Sequence, residues 1–188
     1  MSELMLDVGQ ANEIKLAARR AGATNADLKR LSEGDVFAKL LPYLRGMAEV
    51  VLTKHIIDCD AEPFIPDGLK VEKHCKDGQF EWDIDKVSLH LSKEQACGNS
   101  IEGNKLRKKL EKMPILNANV LDYLLKNSQL IPEDWKGKAI FFWGTIYRRS
   151  DGGLYVRCLY WRGGQWDWFY DWLGHDFNSS RPALLRAS

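Results

Sequence analysis

The sequence predicts an α+β fold, and three observations carry that prediction. Short, capped helical stretches occupy the chain up to about Gly46; apolar, β-branched and aromatic runs dominate its last third; and Asp-Gly and Gly-Gly pairs separate those runs at hairpin distance. With 188 residues, 45% of them hydrophobic, the chain is long enough for a real core plus an appendage. The expected division is a helical N-terminal module, 1–46, followed by a compact domain, 47–188, in which two helices flank short twisted antiparallel strands.

In the N-terminal module, Gln10 to Ala21 carries Ile14, Ala17, Ala18 and Ala21 at helical spacing and stops at Gly22. Thr24-Asn25-Ala26-Asp27 is a variant capping box opening a second helix through Leu28 and Leu31, closed by Gly34. A third starts near Asp35 and is expected to fail around Pro42. Three such helices make too little core to stand alone comfortably. Ala18-x-x-x-Gly22 with Leu28 and Leu31 matches helix-turn-helix spacing, and Arg19, Arg20, Lys29 and Arg30 are available for phosphates. Glu13, Asp27, Glu33 and Asp35 cancel that charge, and small residues at any helix crossing give the same pattern. A DNA-binding regulator is therefore the alternative function; the simpler expectation is a module that docks on the rest of the chain or on a partner protein.

Beyond Gly46, Glu49 to Asp58 reads as a strand, followed by three clustered carboxylates, Asp58, Asp60 and Glu62, and a Pro-rich loop from Pro63 to Gly68. Paired acids can act as general acid and base, so a hydrolase using these three is the enzyme alternative, and it requires them to converge in a pocket. No nearby His or second acidic cluster is forced onto them, and a polar strand end followed by a Pro-rich loop is the simpler expectation. Gln79 to Leu91 alternates from Val87 onward, with Trp82 as core; Asn104 to Met113 is a basic helix with Leu106 and Leu110 turned inward and ended by Pro114; Asn117 or Asn119 caps a helix bearing Val120, Leu121, Leu124 and Leu125.

The last third is the informative part. Ala139 to Tyr147 and Leu154 to Trp161 form two strands joined through Asp151-Gly152, and Arg162-Gly163-Gly164 returns the chain into Gln165 to Trp172. Alternation there places Trp166, Trp168, Tyr170 and Trp172 on one face and Gln165, Asp167, Phe169 and Asp171 on the other. Gly174 to Pro182 mixes turn formers and polar groups and is expected to lie as surface loop. Arg162 to Arg181 is dominated by Tyr, Trp, Phe, Gly, Ser, Asn and Asp, a palette in which rigid aromatics give contact area and small polar residues adapt to a partner.

Trp161-x-Gly163-x-x-Trp166, Trp172-Leu173-x-x-Asp176 and Arg181-Pro182-Ala183-Leu184 resemble the variable region of target proteins of diversity-generating retroelements, in particular the small multi-copy versions of uncultivated bacteria. The resemblance covers roughly residues 135–188. It implies a C-type-lectin-like fold whose C-terminal segment, 162–181, is rewritten by a reverse transcriptase at adenines and displays the varied side chains to a ligand. The varied positions it implies are Asp167, Phe169, Tyr170, Asp171, Gly174, His175, Phe177, Asn178, Ser179 and Ser180, all expected to be accessible, over a fixed and buried layer of Trp161, Trp166, Trp172 and Leu173. Arg162, Gln165 and Arg181 complete the expected ligand-binding set. The ligand is expected to be a protein or another macromolecule. Neither the Glu-Pro-Asn nor the Trp-Asn-Asp triplet of calcium-dependent lectins occurs, so no metal is expected in the site; no convincing catalytic constellation is found either, and neither a cofactor nor enzymatic activity is expected.

Twenty-seven basic against twenty-six acidic residues leave a net charge of +1, which provides no global attraction to nucleic acid or to an acidic membrane. No basic start with an apolar run and no membrane-length apolar stretch occurs, and the expected location is the cytoplasm. Cys59, Cys75, Cys97 and Cys158 are scattered and expected to be reduced thiols. His55, Cys59, His74 and Cys75 can be drawn together as a zinc site, but no knuckle spacing is present and structural roles are expected. No phosphate-cradling glycine loop, nucleophile elbow or His-Glu-x-x-His stretch is found.

Overall fold

The computed structural model describes residues 7–48 and 54–187. The chain divides into two compact units, Met1–Thr53 and Lys54–Ser188. The first contains α1 (Val8–Arg20), α2 (Asn25–Ser32) and α3 (Val36–Leu44). Asp7 with Gln10, and Thr24 with Asp27, close reciprocal capping boxes that satisfy the first free N–H groups of α1 and α2. The expected break at Pro42 does not occur: α3 runs through it to Leu44. Pro42 lies in the last turn and keeps its carbonyl useful, accepting from Met47 N at 2.8 Å while Gly46, at φ 68°, donates to Tyr43 O, a Schellman closure. None of the three helices has a buried residue, and Phe37, Tyr43, Leu44 and Met47 are exposed.

The second unit contains β1 (Ile56–Asp58), β2 (Leu69–His74), β3 (Gln79–Glu81), β4 (Val87–His90), α4 (Lys93–Ala96), β5 (Ile101–Glu102), α5 (Gly103–Leu110), α6 (Ala118–Lys126), β6 (Ala139–Arg149), β7 (Leu154–Arg162), β8 (Gln165–Trp172), β9 (Asp176–Phe177) and β10 (Ala183–Arg186). Of the expected strand from Glu49 to Asp58, residues 49–53 lie outside the described residues, and β1 is the described part. The main sheet runs β4-β10-β6-β7-β8, with β2 also paired to β6; every pairing is antiparallel except that of β10 with β6. The small ribbons β1–β3 and β5–β9 are antiparallel. The unit is α+β.

β6 is buried almost from end to end because both faces of the sheet are covered. Ile140, Phe142, Leu159 and Leu184 pack with Val120, Leu121 and Leu124 of α6; Phe141, Trp143, Ile146, Val156 and Cys158 pack on the other face with Leu106 and Leu110 of α5. The β6 register shifts between Phe141 and Ile146, and Gly144 lies in the shift. Its N–H donates to Leu116 O at 3.0 Å and its carbonyl accepts from Cys75 N at 2.7 Å. A Cβ on Gly144 would stand 2.8 Å from Asn117 Cα.

Asn117, the N-cap of α6 and 2% exposed, donates to Cys59 O and Cys75 O at 2.8 and 2.9 Å, while Asn119 donates to Asp58 O and Ala61 O. His74 donates from Nε2 to Cys59 O and accepts at Nδ1 from the Thr145 hydroxyl, which itself accepts from Ala118 N. His55 Nδ1 pairs with the Tyr123 hydroxyl. These groups tie α6 to the strands, and no cluster of three metal-ligating side chains exists among the described residues. All four cysteines are free, and no helix among the described residues is long and apolar enough to cross a membrane.

Gly144→Ala is expected to destabilise the second unit by about 1–3 kcal/mol through overpacking against the Asn117 backbone, read as a lower urea midpoint at unchanged slope. Burial pushes the Cys59 thiol up to about 11 and Cys158 well above its ordinary value. Both should therefore resist iodoacetamide at pH 8 in the native protein, while exposed Cys97 is alkylated; mass spectrometry of the labelled chain checks the order.

Candidate binding surface at the C-terminal end

The β7–β8 hairpin turns through Gly163 and Gly164, at φ 60° and 84°, a conformation that side chains with a Cβ rarely adopt. The two-residue turn fixes the register: Trp161 opposes Trp166, Leu159 opposes Trp168, Arg157 opposes Tyr170 and Tyr155 opposes Trp172. The expected alternation therefore holds. Trp166 and Trp168 pack against the α6-side core and Phe169 against the α5-side core.

β8 ends the sheet, and nothing pairs with its outer edge among the described residues. In a two-residue hairpin the N–H groups of Trp166, Trp168, Tyr170 and Trp172 point away from β7. Asp167 Oδ1 accepts from Trp168 N at 2.7 Å and Asp171 Oδ1 from Trp172 N at 2.9 Å. Each aspartate thus satisfies an edge donor of its own strand, which blunts the edge against unwanted strand addition.

Arg157 of β7 is 1% exposed at its side chain. Its guanidinium makes two bonds to Asp122 of α6, at 2.7 and 3.1 Å, and lies 4.2 Å from the Trp168 ring and 5.0 Å from the Phe64 ring. Phe64 in turn meets Trp168 edge-on at 5.5 Å. One buried cation therefore connects the helix, the central hairpin, the edge strand and the loop after β1.

The expected ligand-binding residues separate into three sets. Arg162, Gln165, His175, Asn178, Ser179 and Ser180 are exposed; Asp167, Phe169, Tyr170, Gly174 and Arg181 are half-buried. Asp171 and Phe177 are buried and correct the expectation of accessibility. Phe177 pairs with Ile101 through β9 and β5, which draws its ring between Phe141 at 4.9 Å and Trp143 at 5.2 Å. Asp171 is 8% exposed and binds His175 Nδ1 at 2.6 Å and the Arg181 guanidinium. In the expected fixed layer Leu173 is fully buried, but Trp161 and Trp166 are half-buried near the hairpin tip, and Trp172 is 44% exposed. Trp172 folds over Gly174, where a Cβ would strike its ring.

The backbone of the loop after Leu173 is held from below by Gln95. This side chain, 1% exposed, closes a capping box with Ser92 and donates from Nε2 to Asn178 O and Arg181 O at 2.9 and 3.1 Å. The Ser92-Lys93-Glu94-Gln95 pattern is a readable capping box; its second role needs the tertiary structure.

Other sequence candidates are less assembled. A cavity of about 600 Å³ beside Phe64 takes Asp58, Glu62 and Asp122 into its wall but not Asp60. Asp60 Oδ1 accepts from Gly78 N, and Asp58 Oδ1 accepts from Asp60 N, so the three expected carboxylates do not converge. Arg19, Arg20, Lys29 and Arg30 are exposed, as are the four acids that offset them, and Lys29 pairs with Glu33. No protein-family model, no curated protein and no solved structure matches the chain.

Removing Asp122 leaves a buried, unpaired guanidinium, so Asp122→Ala is expected to cost about 3–5 kcal/mol in urea denaturation. Arg157→Met, which leaves a carboxylate able to reach water, is expected to cost clearly less. Equal losses in the two variants would refute the buried-charge account.

Proposed function

We propose that this chain is a non-enzymatic binding protein that recognises a protein or another macromolecule through the exposed part of residues 162–181. The supporting observation is the separation of support from display. Gln95 holds the backbone of the loop through carbonyl oxygens, which every residue type supplies, while Asn178, Ser179 and Ser180 are exposed. A loop held this way is ordered before binding, which lowers the entropic cost of recognition. The resemblance to retroelement-diversified proteins on a C-type-lectin-like scaffold fits the exposed positions, because rewritten positions must not carry the fold, and does not extend to buried Asp171 and Phe177. On this reading the recognition set gains exposed Trp172 and becomes Arg162, Gln165, Asp167, Tyr170, Trp172, Gly174, His175, Asn178, Ser179 and Ser180, with Phe169, Asp171, Phe177 and Arg181 as supports.

Alanine variants at Gln165, Ser179 and Ser180 should each change stability by less than about 0.5 kcal/mol, whereas Phe177→Ala should cost about 3–5 kcal/mol. A graded continuum across these positions in chemical denaturation would remove the division on which the reading rests. The resemblance has its own check: a reverse transcriptase gene beside the coding sequence, with a near-copy of this segment differing only at template adenines. A neighbourhood without them would remove the retroelement and leave the binding surface to be tested by selection from a library randomised at the exposed positions.

A further inference from the structure

On the sheet face covered by α5, a second cavity of about 270 Å³ shares no residue with the C-terminal surface. Its charged lining is Lys73, Arg107, Lys108 and Glu111, three cations against one carboxylate. The neighbouring lysines of α5 are paired, Lys105 with Glu102 and Lys109 with Glu94, but Lys73, Arg107 and Lys108 form no ion pair among the described residues. Glu72, next to Lys73, is already committed: Arg148 takes it in two bonds of 2.6 Å and holds its carboxyl below the usual range. Lys73 and Arg107 are half-buried, so each is partly desolvated without a close ion pair, and the one carboxylate in the lining, Glu111, cannot balance three cations.

The position of Lys73 is itself unusual. It opposes Ile146 across the β2–β6 pair, and cross-strand partners share a face, so it is directed toward the α5 side, where an apolar residue would serve the core. The β2 register shifts between Val71 and Lys73, and such a bulge re-aims the side chain that follows it. The rest of the wall is apolar, formed by Leu110, Ile115, Trp143 and Ile146. Trp143 is 2% exposed, and its Nε1–H finds no acceptor in the protein. Asn104 contributes only its carbonyl, because its amide hydrogens go to Glu102 and Leu173 O.

We propose that this cavity binds a small organic anion, its carboxylate or phosphate head held by Lys73, Arg107 and Lys108 and its compact apolar body lying on Leu110, Ile115, Trp143 and Ile146. The three cations of the lining would supply charge-assisted hydrogen bonds to the head, and the apolar wall selects against a bare inorganic ion.

Titration calorimetry of the full chain with phenyl phosphate, benzoate and inorganic phosphate tests this. The expected result is saturable one-to-one binding of phenyl phosphate or benzoate, at least about tenfold tighter than inorganic phosphate, the factor that loss of one good contact produces. Arg107→Ala and Lys73→Met should each weaken it by about tenfold or more, while Lys105→Ala, at a paired lysine on the same helix, should not. If Arg107→Ala unfolds the chain by circular dichroism, Lys108→Ala replaces it. No saturable binding of either organic anion, inorganic phosphate binding as tightly, binding indifferent to the Lys73 and Arg107 variants, or displacement of the anion by duplex DNA would each overturn the proposal.

Discussion

The second unit depends on the burial of one positive charge. The Arg157 guanidinium has lost its water in the middle of β7, and an isolated ion there would be intolerable, so the fold must bring Asp122 to it. That requirement fixes how α6 lies across the hairpin, since both carboxylate oxygens of Asp122 are engaged at once. The faces of Trp168 and Phe64 then cover the cation. Hydrophobic contact alone would let α6 slide along the sheet; a two-point bond does not. The Asn117 junction adds a second fixed point at the helix N-terminus, where Gly144 admits the Asn117 backbone against β6.

With the helix fixed at two points, the sheet edge becomes a rigid platform for the C-terminal loop. That loop leaves the edge strand β8 and returns to β10, which lies between β4 and β6. Both ends are therefore anchored in the sheet, one at its rim and one in its interior, and the β9–β5 pair and Gln95 fasten it between them. The exposed side chains on it add little to any of these bonds.

The hairpins were readable because local rules decide them. Asp151-Gly152 and Gly163-Gly164 demand their turns, and the turn sets the register, so the alternation of Gln165 to Trp172 emerged with its faces correctly assigned. The helices of α5 and α6 were readable for the same reason, through the spacing of Leu106 and Leu110 and the Asn117 cap. What was not readable is what distant residues decide. Ala183 to Arg186 is too short to announce a central strand, and its place depends on β4 and β6. Phe177 resembles a loop aromatic until Ile101 pairs with it. Alternation assigned Trp172 its face, but a face does not tell whether anything covers it, and Trp172 is exposed. Asp171 looks like a solvent-facing acid, yet it is buried by the very partners, His175 and Arg181, that follow it in the chain.

The two kinds of aspartate use in β8 show how a surface can be both adaptable and safe. An edge strand rich in tryptophan and tyrosine is an aggregation hazard, since its outward N–H groups invite another strand and its rings add apolar area. Asp167 and Asp171 answer half of that hazard from within the strand by occupying the N–H groups of Trp168 and Trp172. The solution differs between the two. Asp171 is also tied into the interior through Arg181, so its loss would disturb the loop; Asp167 makes only the local bond, so its replacement would free one edge donor and leave the frame intact. The surface can therefore vary at Asp167 at the cost of edge protection, whereas variation at Asp171 acts on the support beneath the loop.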